Sequence, residues 1–156
     1  MPVQKLKNYL DKNQVKYVKI SHSPAYTALE IAAMAHIPGK ELAKTVMVKI
    51  DGQMSMLVLP ASYKVDFDLL KAAFAAKKAE LSTEQEFMEL FPDCEIGGMP
   101  PFGNLYNMDV YVAQSLAEDD RIAFNAGSHS ELIQMYYSDY EKLVKPMVLK
   151  FSEKYA

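Results

Sequence analysis

One stretch of the chain is well suited to holding a small ligand against the main chain. It reads Gly97-Gly98-Met99-Pro100-Pro101-Phe102-Gly103 and contains three of the six glycines and two of the eight prolines. Adjacent prolines fix φ and remove backbone donors, whereas glycines permit positive φ and a close approach to the backbone. No regular element is expected here. The loop either presents backbone N–H groups to a ligand or simply connects a helix to a strand.

A lysine and a polar turn could complete such a site. Lys44 lies at the entry to a predicted strand, Ala43-Lys44-Thr45-Val46, where one face should be buried. A lysine there is costly unless its ammonium reaches water or an anion. The turn Gly127-Ser128-His129 adds polar side chains. Lys44 therefore either reaches solvent or anchors a phosphate or carboxylate.

Other kinds of catalytic site are not indicated. The three histidines, His22, His36 and His129, lie in separate segments without metal-binding spacing, so no metal and no cofactor is expected. Ser128 beside His129 does not make a catalytic triad by adjacency, and no Gly-x-Ser-x-Gly motif is present. The single cysteine, Cys94, precedes the loop and fits a small buried hydrophobe better than a reactive thiol.

The elements that must position these residues are predicted from turn and capping patterns. Asp51-Gly52 separates two β-rich runs, 45–50 and 54–59, which indicates a tight antiparallel hairpin in the core sheet. Thr27 with Glu30, and the residues Asp66 and Thr83, are typical helix N-caps. The predicted helices are 3–13, 27 to before Pro38-Gly39, 66–74, 84–90 and a last one that ends near 144 and is capped by Ser138 or Asp139. The further predicted strands are 15–20, 77–81, 108–112, 121–125 and 132–136.

The apolar positions of two of these helices also give expectations about the core. The second helix carries the apolar residues Leu29, Ile31, Ala32 and Ala35, and in the third helix Leu69, Leu70 and Ala73 should lie inside. Helices and strands are interspersed without strict βαβ alternation, which favours an α+β fold with a mixed, curved sheet.

Composition limits the class of protein. The 156 residues are half hydrophobic and fit one domain, 1–156, with no repeat or linker. No apolar run approaches the roughly 20 residues of a membrane span, and no apolar signal segment is seen, so we expect a cytoplasmic protein with no membrane partner. The net charge is −3 with one arginine, Arg121, which argues against a general polyanion binder. The lysines near both termini form either a solvated face or a phosphate-tracking patch.

Five stretches in the same order resemble the YbaK/prolyl-tRNA-synthetase-associated domain family, which comprises aminoacyl-tRNA deacylases. The similarity runs from about residue 15 to Pro146, and the lysine-threonine pair and the glycine-proline loop are its most specific parts. The stretches are His22 and Pro24 before Tyr26-Thr27-Ala28-Leu29-Glu30, then Ala43-Lys44-Thr45-Val46, Leu57-Val58-Leu59-Pro60, Gly97 to Gly103, and Phe124-Asn125-Ala126-Gly127-Ser128-His129.

The resemblance implies an α+β domain with a curved, mainly antiparallel, barrel-like sheet flanked by helices, and a trans-acting aminoacyl-tRNA deacylase that hydrolyses the ester of mischarged tRNA. It implies that Lys44 holds the phosphate or ribose side of the tRNA acceptor end, that Gly98 contacts the aminoacyl carbonyl, and that His129 borders the aminoacyl pocket. The substrate-binding residues implied beside these are Tyr26, Thr27, Met34, Thr45, Met99, Pro100, Phe102, Gly103, Gly127 and Ser128. A transient encounter with tRNA, or help from an aminoacyl-tRNA synthetase, fits the acidic balance best.

Two other functions stay open from the sequence. One is a binding or regulatory module that recognises aminoacyl-tRNA ends, or aminoacyl-like small molecules, without turnover. The other is a small-molecule esterase, for which no dedicated nucleophile is visible. The oligomeric state and the edited amino acid are not predicted.

Overall fold

A long antiparallel hairpin lies at the centre of the sheet. In the computed structural model, which describes residues 3–155, β2 (Leu42–Ile50) pairs with β3 (Gln53–Pro60). Asp51 and Gly52 form the turn with φ of 49° and 84°. Two positive φ values in a two-residue turn match the twist of the flanking strands, and Asp-Gly is a preferred sequence for them. The predicted hairpin is confirmed.

The remaining elements flank this hairpin. The helices are α1 (Gln4–Lys12), α2 (Ala28–Ala35), α3 (Phe67–Phe74), α4 (Glu84–Phe87), α5 (Gln114–Ala117) and α6 (Tyr137–Val144), with 3₁₀ turns at Met88–Leu90 and Gly103–Tyr106. The other strands are β1 (Tyr17–Ser21), β4 (Tyr63–Val65), β5 (Ala79–Leu81), β6 (Val110–Ala113), β7 (Arg121–Asn125), β8 (Glu131–Tyr136), β9 (Met147–Leu149) and β10 (Ser152–Lys154).

The main sheet is mixed and mostly antiparallel, as the resemblance implied. Its order is β1-β8-β7-β2-β3-β6-β9, and β5 pairs with the far end of β2. The sheet is curved but does not close, because β1 and β9 stand at its two ends. β7 runs parallel to β2, and this parallel contact is short, covering two residue pairs.

Apolar side chains pack on both faces of the sheet. On one face, Leu6 and Leu10 of α1 and Tyr140 of α6 are fully buried against Phe102 and Phe124. On the other face, the buried clusters are built on α2 and α3. Their buried members are Ala25, Ile31, Ala32, Leu42, Ala61, Ala123 and Leu132 around α2, and Val48, Ile50, Leu57, Leu59, Leu70, Ala113 and Phe151 around α3.

The predicted N-caps are confirmed at three helices. The Thr27 side chain accepts a hydrogen bond from Glu30 N, and the Asp66 carboxylate accepts from the backbone at the start of α3. Thr83 and Glu86 form a reciprocal capping box at α4. Each cap satisfies an N–H group that has no partner within its own helix.

Several expectations differ from the structure. Ala73 is exposed, because α3 buries only a narrow stripe. α6 begins at Tyr137, so neither Ser138 nor Asp139 is its cap. The loop after Gly98 is not wholly irregular, since a 3₁₀ turn starts at Gly103. β4, β9, β10 and α5 were not predicted, because segments of three or four residues are too short to show a hydrophobic period.

Within residues 3–155 the longest helix, α1, has nine residues, and no described helix is long and apolar enough to cross a membrane.

The ion pair between Lys49 and Glu86 predicts a specific sensitivity to acid. The hydrogen bond from Lys49, supported by the backbone N–H of Thr83, lowers the pKa of Glu86 to about 2. A carboxyl whose pKa is lower when folded stabilises the fold above its unfolded pKa and loses that contribution as pH falls from about 4.5 to 2. We expect the melting temperature of Glu86→Gln to fall less than that of wild type between pH 6 and pH 2.5. Glu84→Gln, in the same helical turn, should behave as wild type. Equal acid sensitivity of wild type and Glu86→Gln would contradict this role of Glu86.

Candidate functional site

The candidate site lies where two parallel strands separate. The pairing of β2 with β7 ends at Ala43 and Phe124. The next residue on each strand is Lys44 on β2 and Asn125 on β7. Because successive side chains alternate between the faces of a sheet, Lys44 and Asn125 lie on the same face, which is opposite to Phe124. The end of a parallel pair, where strands diverge, leaves room for a ligand that main-chain pairing would otherwise exclude.

The glycine-rich loop fills part of this opening and is bonded to both strands. The Thr45 hydroxyl of β2 donates to the carbonyl oxygen of Met99, at 3.2 Å. The Asn125 side-chain amide of β7 donates to the carbonyl oxygen of Gly97, at 3.4 Å. The loop is therefore tied to the two strands by one side chain from each.

The turn after β7 closes against the same loop. Gly127 N donates to Gly98 O at 2.9 Å, and Glu95 N donates to Gly127 O at 2.8 Å. A Cβ atom at Gly98 would lie 3.0 Å from the backbone N, Cα and C atoms of Ser128. The two backbone segments can approach this closely only because residue 98 has no side chain. This pairing of the loop with residues 127–128 brings two of the predicted stretches together.

The hydrogen-bond state of the loop determines which donors a ligand could use. Gly98 N donates to Glu95 O at 2.9 Å, so this N–H is already engaged. Gly97 N lies 3.2 Å from the sulfur of Met99. Among the hydrogen bonds formed by residues 3–155, none uses the backbone N–H of Met99 or Ser128. Both residues are more than nine-tenths buried, and buried N–H groups without an acceptor are rare.

His129 is fixed under the loop. Its Nε2 atom lies 2.6 Å from the carbonyl oxygen of Ile96, and its backbone N donates to Glu95 Oε2 at 3.3 Å. Because a carbonyl oxygen can only accept, Nε2 carries a proton. Nδ1 is buried and makes no hydrogen bond to the described residues. The ring of Tyr26 packs against the imidazole of His129, with a distance of 4.9 Å between the ring centroids. Tyr26 is otherwise 73% exposed.

Lys44 is half-buried, and its ammonium faces Tyr155. Nζ donates to the Tyr155 hydroxyl at 3.3 Å and lies 5.0 Å from the centroid of that ring. Within the described range, no carboxylate lies within 4 Å of Nζ. Lys44 therefore holds a positive charge at the site with no acidic partner among residues 3–155, which suits the binding of an anion.

Three of the predicted residues lie on or beside α2. Tyr26 contacts His129, as described above. The Thr27 hydroxyl is committed to the helix cap, because it accepts from Glu30 N at 3.2 Å and donates to Glu30 Oε1 at 2.8 Å. Met34 is 46% exposed on the outer surface of α2. The structure therefore brings Tyr26 to His129, whereas the Thr27 hydroxyl stabilises the start of α2.

Three of the predicted substrate-binding residues are buried in the core. Phe102 is fully buried, and a Cβ atom at Gly103 would lie 2.7 Å from Val110 Cγ2. Pro100 is buried, and its carbonyl oxygen accepts from Phe102 N at 2.8 Å. This half of the loop packs against helices α1 and α6 and so anchors the half that faces the strands, and a substrate-binding role for these three residues stays a prediction. The ring contacts of Phe102 are with Tyr9, Phe124 and Tyr140.

Two residues of the site were missed in the sequence. Asn125 lies inside the stretch from Phe124 to His129. Only the structure shows that its side-chain amide, at the end of β7, donates to the loop. Tyr155 lies 111 positions from Lys44, and no local pattern could relate the two. β10 pairs with β4, and Tyr155 N donates to Ser62 O at 3.1 Å, which together bring this tyrosine to the site.

Other chemistry is not supported within residues 3–155. No group of three His, Cys, Asp or Glu side chains there could hold a metal ion. Burial raises the pKa of Cys94 to about 11, and its sulfur lies 3.6 Å from the Tyr106 hydroxyl. The thiol is therefore protonated at neutral pH and a poor nucleophile. A cavity of about 480 Å³ lies away from the site and is lined by Gln53, Met54, Leu90, Asn104, Tyr106, Asn107, Met108 and Asp109.

The fold and the site define an α+β domain that places a loop backbone and a lysine at the opening between two parallel strands. Residues 22–143 match the family model of the aminoacyl-tRNA editing domain, and the chain belongs to this family. The match includes Tyr26, Lys44, Gly98 and His129, but it ends before Tyr155.

Comparisons with individual proteins agree with this family. The chain is 23% identical over 88 residues to the proline--tRNA ligase of Bacillus mycoides (strain KBAB4), covering 56% of this chain and 15% of that protein. It is 32% identical over 72 residues to the proline--tRNA ligase of Staphylococcus saprophyticus subsp. saprophyticus, covering 46% of this chain and 13% of that protein. The chain thus spans less than a fifth of the length of these relatives.

Two solved structures share the fold. The hypothetical protein APE2540 superposes with a TM-score of 0.84 at 22% identity, covering 96% of this chain and all of the other. A candidate trans-editing enzyme for prolyl tRNA synthetase superposes with a TM-score of 0.81 at 18% identity, covering 97% and 96% of the two chains. Similarity at these identities establishes the architecture, including the curved, mostly antiparallel sheet.

The contact of Gly98 with the backbone of Ser128 predicts that Gly98→Ala is destabilising. The added Cβ would meet main-chain atoms, which cannot move aside as a side chain can, so we expect a loss of about 1–3 kcal/mol in the free energy of unfolding. Gly39→Ala is the control, because its Cβ would meet the Ser62 side chain at 3.3 Å. Urea denaturation measures both variants. A Gly98→Ala protein as stable as Gly39→Ala would contradict the close packing.

Proposed function

We propose that this protein is a trans-acting aminoacyl-tRNA deacylase that hydrolyses the ester of mischarged tRNA. The observation that carries the proposal is the placement of Lys44. Its ammonium, without an acidic partner among residues 3–155, lies on the same sheet face as Asn125, which holds the carbonyl of Gly97. A cationic side chain thus lies at the same strand opening as the loop that Asn125 holds. Membership of the aminoacyl-tRNA editing domain family supports the assignment of tRNA as the substrate.

The proposed chemistry needs a positioned water rather than a protein nucleophile. Water attacks the ester carbonyl carbon, the carbonyl oxygen becomes an oxyanion, and the bond to the ribose oxygen then breaks. That oxygen leaves with a proton, and the products are a free amino acid and uncharged tRNA. Cys94 is protonated and His129 Nε2 donates to Ile96 O, so neither is poised to form an acyl intermediate. Backbone donors that meet the oxyanion contribute about 2.7–4 kcal/mol each.

The backbone N–H groups of Met99 and Ser128 are the proposed oxyanion donors. Gly98 N–H is engaged with Glu95 O, and we therefore assign Gly98 a different role from direct donation. Its missing side chain lets the Ser128 backbone approach the loop. His129 and Tyr26 border the proposed aminoacyl pocket, where buried Nδ1 of His129 has no partner among the described residues.

Lys44 is proposed to bind the phosphate or ribose side of the acceptor end. The net charge of −3 provides little general attraction for tRNA, so this contact has to be local. A transient encounter is therefore proposed, with an aminoacyl-tRNA synthetase as a second partner. The similarity to parts of two proline--tRNA ligases is consistent with such an association.

The test is a deacylation screen in which purified protein is incubated with a panel of correctly charged and mischarged tRNAs. We expect release of one class of small amino acid from mischarged tRNA, and activity that falls as ionic strength rises. A rate independent of salt would instead indicate a small-molecule esterase. No release across the panel by folded protein would contradict the proposed function and favour a binding module without turnover.

Lys44→Ala tests the site. Its side chain packs on the exposed Tyr155 rather than in the core, so the melting temperature should change by no more than a few degrees. Loss of a charge-assisted phosphate contact should lower kcat/KM for charged tRNA by about 10- to 100-fold. Lys71→Ala, a lysine on the surface of α3, serves as the control and should keep wild-type kcat/KM. A fully active Lys44→Ala protein would place the site elsewhere.

A further inference from the structure

The C-terminal tyrosine presents an aromatic surface directly beside the charge of Lys44. Tyr155 is 45% exposed, although one side of its ring packs against the Lys44 ammonium. Its backbone is held in place, because β10 pairs with β4 and Tyr155 N donates to Ser62 O at 3.1 Å. The backbone of Tyr155 is therefore held in place, and nearly half of the residue is accessible to a ligand.

An exposed aliphatic side chain lies near the segment that holds the Tyr155 backbone. Ser62, which holds the Tyr155 backbone, lies against Gly39, and Leu29 packs at the same point, with its Cδ2 3.7 Å from the Cβ position of Gly39. Leu29 is 50% exposed. The surface near Tyr155 thus combines an exposed aromatic ring, an exposed aliphatic side chain and the Lys44 ammonium.

One class of ligand matches this combination. A nucleotide has a flat aromatic base that stacks on a tyrosine ring and a phosphate that binds an ammonium group. The Tyr155 hydroxyl accepts one hydrogen bond from Nζ, which leaves two N–H donors of the ammonium for a phosphate. A protein carboxylate close to Nζ would oppose such binding, and residues 3–155 place none within 4 Å.

We propose that Tyr155 is the stacking platform for a nucleobase whose phosphate is bound by Lys44. The base is the terminal adenine of the tRNA acceptor end if the proposed deacylase function holds, and this identification of the base rests on that function. Tyr155 then acts in binding the nucleotide and not in the hydrolytic step. Tyr155 lies beyond residues 22–143, the range that matches the family model.

The experiment compares Tyr155→Ala and Tyr155→Phe with wild type. The dissociation constant of the uncharged trinucleotide CCA is measured by NMR titration, and KM and kcat are measured for a charged tRNA. Tyr155→Ala should weaken CCA binding and raise KM by about 10-fold, with kcat changed less than 2-fold, because stacking acts on binding. Tyr155→Phe keeps the aromatic face and should stay within 3-fold of wild type in both measurements.

Tyr136→Ala is the matched control. Tyr136 is also 45% exposed and also packs on a cation, Arg121, at 5.3 Å. It should bind CCA as wild type does. Tyr155→Phe as weak as Tyr155→Ala would overturn the proposal, because the hydroxyl that positions Lys44 would then be the important group. Unchanged CCA binding by Tyr155→Ala would also overturn it.

The binding measurement separates this proposal from the deacylase function. CCA carries no ester, so its binding does not require turnover. Tyr155-dependent binding of CCA by a protein inactive on every charged tRNA would remove the deacylase function and leave the nucleotide subsite in place. Hydrolysis of charged tRNA that does not depend on Tyr155 would retain the deacylase function and remove the nucleotide subsite.

Discussion

The site depends on the close pairing of the loop around Gly98 with the turn at Gly127. Two backbone hydrogen bonds join these segments, from Gly127 N to Gly98 O and from Glu95 N to Gly127 O. They form only because Gly98 has no Cβ to meet the Ser128 backbone. A glycine cannot hold a conformation by itself, so the pairing has to be imposed by contacts from outside the loop.

Those contacts come from opposite sides of the pairing. Phe102 anchors the loop in the core, where its ring packs against Phe124 and Tyr140. On the turn side, Gly127 has a φ of 105°, and Val3 N donates to Ala126 O at 2.9 Å. The hydrogen bond from Val3 thus stabilises the turn, while the packing of Phe102 in the aromatic core stabilises the loop. Catalysis by preorganised donors requires this rigidity, since donors that reorient during the reaction stabilise an oxyanion less.

Much of the architecture was predictable because short sequence motifs determine its turns and helix starts. Asp51-Gly52 specifies a turn with two positive φ values, and Thr83 with Glu86 specifies a helix start. The loop, Lys44 and the polar turn were also recognisable from residue types. Their roles in binding and hydrolysis stay predictions, whereas their spatial relation was found only in the structure. Phe102 could not be assigned to the core from sequence, because a phenylalanine in a glycine-proline loop fits a pocket wall equally well. Tyr155 was inaccessible to sequence reasoning, because its contact with Lys44 spans 111 positions.

The most direct test of the account is to locate the binding site with an aminoacyl-adenosine analogue in which an amide replaces the reactive ester. Titration of this analogue into ¹⁵N-labelled wild-type protein, followed by two-dimensional NMR, reports which backbone N–H groups respond. The account predicts the largest shifts at Gly97 to Met99 and at Ser128 and His129. Shifts confined to the separate cavity around Tyr106 and Met108, with none in the loop, would contradict it.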